Sequence, residues 1–395
     1  MRRLLLLLAV LAAVSATIGT AGAGAAQQPS VAFGVYVPDS LEEPQKLDQV
    51  ARQIGRQPVI VSIYKQWDTD PFLPSELAQA WNRGAVPMVT WEPFSYSGKD
   101  FPLGQIQRGR FDQYVRESAN SARRWGKPVL LRFAHEMNGD WYPWGRGVEG
   151  NNSYRYRAVW QRLVEIFRKR GATNVQWVWT PNVNTGGENP FRDLYPGDKW
   201  VDWVGFDGFN WALRGEWNSF TEIVDNSYEE MAELTSKPMI VSEVGSSETG
   251  GDKAAWVASA LSEEITKMPR IRAVVWFNER FEDITGEGDS LDARINSSPE
   301  SLQAFRTAID SPQFSLTREQ LLATPERFAR DSGVAPEPPS GNFGQPSLFY
   351  KYSHKLHGPY LAAAIACAVA GLLVLLALLL LWRRRRRKRL LVATR

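Results

Sequence analysis

Residues 128–145 read PVLLRFAHEMNGDWYPWG, and this stretch decides how the rest of the chain is read. An apolar run of strand length, Pro128 to Phe133, leads to a glutamate, Glu136, and then breaks into Asn138, Gly139 and Asp140, which favour turns over regular structure. Residues 237–247, KPMIVSEVGSS, repeat the arrangement around Glu243. Both carboxylates are therefore expected where a strand empties into a loop.

Working outward, runs of the same kind begin at eight places: VAFGVYVP at Val31, PVIVSIYKQW at Pro58, AVPMVTWEPF at Ala85, PVLLRFAHE at Pro128, NVQWVWTPN at Asn174, VDWVGFDGFNW at Val201, PMIVSEVGS at Pro238 and IRAVVWFNE at Ile271. Between them, Phe111–Trp125 and Tyr154–Arg170 alternate apolar and charged residues with a period near 3.6, as helices do when one face packs on a sheet. Ser298-Pro299-Glu300 opens another helix, to Ile309, with Ser as cap and Pro at the first helical position. Alternating strands and helices describe βα units on a parallel sheet, and eight of them predict a closed (β/α)8 TIM barrel over residues 30–310. An open doubly wound sheet fits less well, because no G-x-G-x-x-G or Walker motif follows any run. On this count Glu136 ends the fourth strand and Glu243 the seventh, and in a barrel those ends share one mouth. Such a pair is what cleavage of a glycosidic bond requires: one carboxyl protonates the leaving oxygen and the other attacks or stabilises the oxocarbenium-like centre.

The two ends of the chain read differently. Residues 1–26 form a secretory signal, with Arg2 and Arg3, an apolar stretch from Leu4 to Val14, and small residues at Ala23, Ala25 and Ala26. Tyr360 to Trp382 carries no charge and as a helix is roughly 35 Å long, enough to cross a bilayer, so a single C-terminal transmembrane helix is expected over 359–382. The basic run Arg383–Arg389 opens a tail, 383–395, that the positive-inside rule keeps cytoplasmic, which places the barrel extracytoplasmically at the cell membrane and makes the lipid bilayer a partner. Residues 311–358 are expected to hold a short helix, Leu316–Arg330, and a Pro/Gly-rich juxtamembrane linker. The net charge of +3 comes from these ends: without the eight tail cations and Arg2 and Arg3, residues 4–382 carry −7, which excludes a nucleic-acid surface. Cys367, the only cysteine, falls in the span, so no disulfide framework supports the exported domain.

Four segments carry a resemblance: RFAHEMNGDWYPWG, IVSEVGS, WVGFDGFNW, and AVVWFNERFED followed by INSSPESLQAFR. Through them, over residues from about 30 to 310, the chain resembles glycoside hydrolase family 26, the β-mannanase-like members of a clan of (β/α)8 glycosidases. The resemblance implies retaining hydrolysis of a β-linked polysaccharide, commonly β-mannan and in some members mixed-linkage β-glucan or β-xylan. It gives Glu136 the acid/base role and Glu243 the nucleophile role, with the carboxyls about 5–5.5 Å apart. Glu136 then needs a raised pKa, which Trp141, Tyr142 and Trp144 supply by excluding water, and Glu243 needs hydrogen-bond donors to stay ionised. By the same resemblance His135 contacts the sugar at the cleavage subsite, Asp207 orders the site, Trp141 lines it beside the acid/base, and Trp276 supports the sugar. Trp91 and Trp211, also at strand ends, are further candidates for the flat apolar platform that sugar C–H groups favour. No cofactor is called for. A metal centre is not expected either, since HEMNG lacks the second histidine of H-E-x-x-H and His354 and His357 adjoin the span.

Two departures bear on function. The family's usual tyrosine two residues after Asp207, a donor to the nucleophile, is Phe209 here, which leaves the donor to come from elsewhere, for example Asn210 or Tyr36. Mannan-active relatives often carry a histidine where this chain has Glu92, which either binds sugar hydroxyls or pairs with an arginine. The reading is a membrane-anchored endo-β-glycosidase of mannan or glucan type. The alternatives are a catalytically weakened barrel that binds surface polysaccharide, or a trimming or transglycosylating enzyme of exopolysaccharide export.

Overall fold

All eight apolar runs form strands, and the computed structural model describes them within residues 30–97, 101–184, 187–212, 216–281 and 291–331. In chain order the elements are β1 (Ala32–Tyr36), α1 (Gln45–Ile54), β2 (Ile60–Gln66), α2 (Pro74–Trp81), β3 (Val86–Glu92), α3 (Leu103–Gln107), α4 (Asp112–Trp125), β4 (Val129–Phe133), α5 (Ser153–Lys169) and β5 (Val175–Trp179). Then follow β6 (Trp203–Asn210), α6 (Phe220–Leu234), β7 (Met239–Ser246), α7 (Lys253–Ser259), β8 (Ile271–Phe277) and α8 (Pro299–Ile309). The strands pair in parallel in sequence order, and β8 returns to β1 with Val35 opposite Trp276, so the barrel closes.

Strand alternation divides every run between two environments. Ala32, Ile60, Val86, Met88, Leu130, Val178, Trp203, Ile240, Ala273 and Val275 meet in the barrel interior. Their neighbours in sequence, such as Val89, Leu131, Trp177, Val241 and Val274, face the helices and join the larger outer core. The apolar faces of α4 and α5 seal that outer layer: Val115, Ala119 and Ala122 on α4, and Val159, Leu163 and Phe167 on α5, are fully buried. The caps follow local chemistry. Ser298 accepts from the Ser301 backbone at the start of α8, and Gly126 takes the left-handed conformation that ends α4.

The segment from 311, expected to open with a short helix downstream of the barrel, packs on the barrel over its described part. Residues 311–331 continue the barrel: the Leu316 N–H donates to the Val31 carbonyl, Gln176 Nε2 donates to the Leu322 carbonyl, and Leu321 is fully buried in the interior cluster, below the strand ends that carry no site. The single helix expected from Leu316 to Arg330 is two short ones, α9 (Arg318–Leu322) and α10 (Thr324–Asp331), because Pro325 has no N–H to continue the first and fits the opening turn of the second. The chain divides at Pro338 into two units. The signal segment 1–26, the transmembrane helix expected over 359–382 and the basic tail lie outside the described residues. Among the described residues no helix is long and apolar enough to cross a membrane.

Candidate active site

Above the apolar layers the interior turns polar, with Thr90, Arg132, Thr180, Ser242 and Asp207 all fully buried. An arginine inside a barrel is tolerated only if its charge is met, and here it is met twice. Arg132 Nη1 contacts both carboxylate oxygens of Asp207 at 2.9 and 2.8 Å, and Nη2 bonds Glu243 Oε1. Thr90 Oγ1 receives Nε and Nη2 at 3.0 and 2.8 Å, which fixes the guanidinium plane. Burial works against the Arg132 charge, but Asp207 and Glu243 outweigh it and hold the group protonated. Burial first, then the Glu243 and Glu136 charges, push the Asp207 carboxyl up against the pull of Arg132, whose guanidinium stays charged beside it.

Glu243 lies inside β7, directly opposite Asp207 across a break in the β6–β7 register. Its second donor is Tyr64, from the end of β2, whose hydroxyl bonds the same Oε1 that Arg132 holds. Tyr64 occupies the position in the mouth that Phe209 leaves without a hydroxyl. The two donors named from the sequence do other work: Asn210 donates to Ser246, and Tyr36 packs edge-on against Tyr64 at 5.0 Å.

Glu136 stands three residues beyond the end of β4 rather than on it. The turn that carries it is strained, with Ala134 at φ 44° and Glu136 at φ 50°, in the left-handed region that side chains avoid. Neighbouring strands hold it there: the Ala134 N–H donates to the Trp91 carbonyl at 3.1 Å and the Glu136 N–H to the Thr180 carbonyl at 2.8 Å. Asn138 ties this loop to the one after β5, donating to the Asn182 and Asn189 carbonyls and accepting from the Asn182 N–H. That brings Asn182 Nδ2 to 2.7 Å from Glu136 Oε1, while Trp141 Nε1 lies 2.7 Å from Oε2. Glu136 therefore meets only neutral donors. Burial first, and the Glu243 charge second, push its carboxyl up to about 7.

His135 sits between the two glutamates in the mouth. Its Nε2 is 3.2 Å from the Tyr142 hydroxyl and 4.0 Å from Glu243 Oε1, and burial together with Arg132 holds the ring well below its usual pKa, hence neutral. Trp144 stacks on Tyr142 at 4.4 Å and donates to the His135 carbonyl, which walls off this side. Glu92 is buried at the end of β3, bonded by Gln66 Nε2 at 3.2 Å, and burial pushes it up to about 8; no arginine pairs with it among the described ion pairs. Trp211 is half-buried against Phe209 and Phe281 at the rim above β6 and β8.

Two of the tryptophans do not belong to the mouth. Trp91 and Trp276 occupy the outward positions of β3 and β8 and are completely buried. Trp91 stacks on Trp67 at 4.9 Å and donates to Tyr114 of α4; Trp276 lies edge-on to Phe305 of α8 and donates to the Ala293 carbonyl. Residue alternation is the reason, since Glu92 and Phe277 take the inward positions beside them. Asp207 is also unavailable to a sugar, because both its oxygens face Arg132. His135, Asp207 and Glu243 do offer ligand atoms within 4.8 Å of one another, but the Arg132 guanidinium already supplies the positive charge between the two carboxylates.

The profile described as glycosyl hydrolase family 26 matches residues 104–263, which include both glutamates. Endoglucanase H of Acetivibrio thermocellus is 38% identical over 263 residues, covering 65% of this chain and 28% of that protein. Over these residues the chain is similar to glycosyl hydrolase family 26. A mannan endo-1,4-beta-mannosidase of Bacillus subtilis is 28% identical over 243 residues, covering 54% of this chain and 62% of that relative. The chain thus spans less than two thirds of the length of either. In fold it is similar to GH26C from Muricauda sp. MAR_2010_75, with a TM-score of 0.55 at 17% identity over 75% of this chain and 90% of that one.

Tyr64 and Asn182 were not singled out from the sequence. Tyr64 had a signal, since it shares the inward parity of Ile60 and Ser62 toward the C-terminal end of β2; Asn182 had none, because its place depends on Asn138. Removing the central cation tests this arrangement. Arg132→Met is expected to cost about 3–5 kcal/mol, the usual penalty for stranding a buried charge. The loss, measured by denaturant unfolding, should be larger at pH 7 than at pH 5, because burial raises the Asp207 carboxyl and protonation relieves it; equal losses at both would contradict a charge-based role.

Proposed function

We propose that this protein is a retaining endo-β-glycosidase acting by double displacement, with Glu136 as acid/base and Glu243 as nucleophile. The observation that carries the reading is the opposite surroundings of the two carboxyls in one mouth. Glu243 is bonded by a guanidinium and a phenol, whereas Glu136 meets an amide and an indole and is pushed up to about 7 by burial. Tyr64 supplies the donor whose absence at Phe209 favoured a catalytically weakened barrel, so hydrolysis is the better supported of the two. His135, Trp141, Trp211 and Glu92 are the side chains best placed to meet the sugar. For substrate we favour a β-glucan over β-mannan. The endoglucanase relative is the more similar one, and the end of β3 presents Glu92.

The test is reducing-end release by the full-length protein from mixed-linkage glucan, mannan and xylan, with product anomers followed by NMR. Glu243→Ala should lower turnover about 10⁴-fold or more. Glu136→Ala should spare the first step on an activated aryl glycoside, and equal residual rates for the two variants would contradict the assignment. Because Glu136 must carry a proton to act, kcat/KM on a natural glycan should fall about tenfold per pH unit above its pKa of about 7. A rate that stays flat to pH 9 would place the acid elsewhere.

We further propose that the barrel is held at the outer face of the cell membrane by residues 359–382, a reading supported by the uncharged run and the basic residues after it. Fractionation of expressing cells should leave the protein in carbonate-washed membranes, with the barrel digestible by external protease after outer layers are opened. Recovery in the soluble fraction would overturn the anchor.

A further inference from the structure

The Trp141 ring lies flat on Gly139. A Cβ placed on Gly139 would sit 2.3–2.5 Å from three carbons of the six-membered ring of the indole, closer than carbon atoms can approach. Gly139 does not need to be glycine for its backbone, since it is not among the residues at positive φ. Space alone explains it. One face of the indole is thus pressed on the backbone, its N–H reaches Glu136 Oε2 at 2.7 Å, and the residue remains 49% exposed through its other face. The support is itself rigid: a Cβ on Gly145 would sit 2.3 Å from the Gly139 carbonyl oxygen, and the Arg146 N–H donates to the Met137 carbonyl across the loop.

We infer that Gly139 is a positioning residue: by leaving room for the Trp141 ring, it fixes the indole N–H on Glu136 Oε2 and turns the free ring face toward the cleft. This rests on Glu136 being the acid/base. An N–H bonded to a carboxylate favours its ionised form, so Trp141 acts on Glu136 against burial and so helps keep its proton exchangeable near neutrality. The other groups that act on Glu136 are Glu243 from β7, Arg132 from β4, Asp207 from β6, Asn182 after β5 and Tyr142 of its own loop. A methyl on Gly139 leaves all of these in place and moves the ring.

The experiment compares Gly139→Ala, Trp141→Phe and the double variant of the full-length protein. Phenylalanine lacks both the N–H and the ring carbons that the added methyl would strike. Each single variant should lower kcat/KM about ten- to a hundredfold and move the alkaline limb of its pH profile up by about one unit, the worth of one hydrogen bond to a charged group. In the double variant Gly139→Ala should add nothing further. Independently of turnover, the indole ¹⁵N–¹H resonance lost in Trp141→Phe should titrate with Glu136 in the wild type and stop doing so in Gly139→Ala. The inference is overturned if Gly139→Ala keeps the wild-type limb and resonance, or if the two substitutions multiply in the double variant. If no glycan is cleaved, the resonance decides alone: its loss of titration upholds the placement of Trp141 by Gly139 while the hydrolase reading fails.

Discussion

The site depends on one buried cation. Arg132 enters the barrel from β4, the strand that leads to Glu136, and bonds Asp207 on β6 and Glu243 on β7. A guanidinium with no exposed surface would be untenable without those partners, and the partners would be equally untenable without it. Three strands are thereby fixed relative to each other at the level where the apolar interior ends. The electrostatic need of one side chain sets the floor on which the chemistry stands.

From that floor the two glutamates diverge in character. Glu243 is on the strand itself, so its position follows from sheet register and its charge is met by rigid groups below. Glu136 rides on a strained loop three residues above its strand, where positive φ at Ala134 and Glu136 turns the carboxyl back over the mouth. Strain of this kind persists only where neighbours overdetermine it. The Thr180 carbonyl, Asn138, Asn182 and the ring of Trp141 do so here. Glu136 is thus kept buried and among neutral donors, while Glu243 is kept among charged and phenolic ones.

Much of this was legible before any coordinates. Runs bounded by Pro and Gly located all eight strands within a few residues, because each buries both faces and must be apolar along its length. Less legible was which face each residue took. Trp91 and Trp276 stand near strand ends, yet the parity of β3 and β8 buries them against helices, with Glu92 and Phe277 turned inward. From the sequence the donors open to Glu243 in place of Phe209 were Asn210 or Tyr36, but the hydroxyl comes from Tyr64, which is adjacent only after the barrel closes.

The sequence by itself determined the βα succession, the two carboxylates that accompany the fourth and seventh strands and the uncharged run near the C-terminus, because these rest on periodicity, turn chemistry and hydrophobicity, which act locally. Tertiary structure decided the partners: Arg132 with Asp207 and Glu243, Tyr64 for the missing hydroxyl, Asn182 beside Glu136, and Leu321 closing the barrel from below. Those contacts join residues far apart in the chain. They follow from the closure and register of the sheet, which no single stretch of residues encodes.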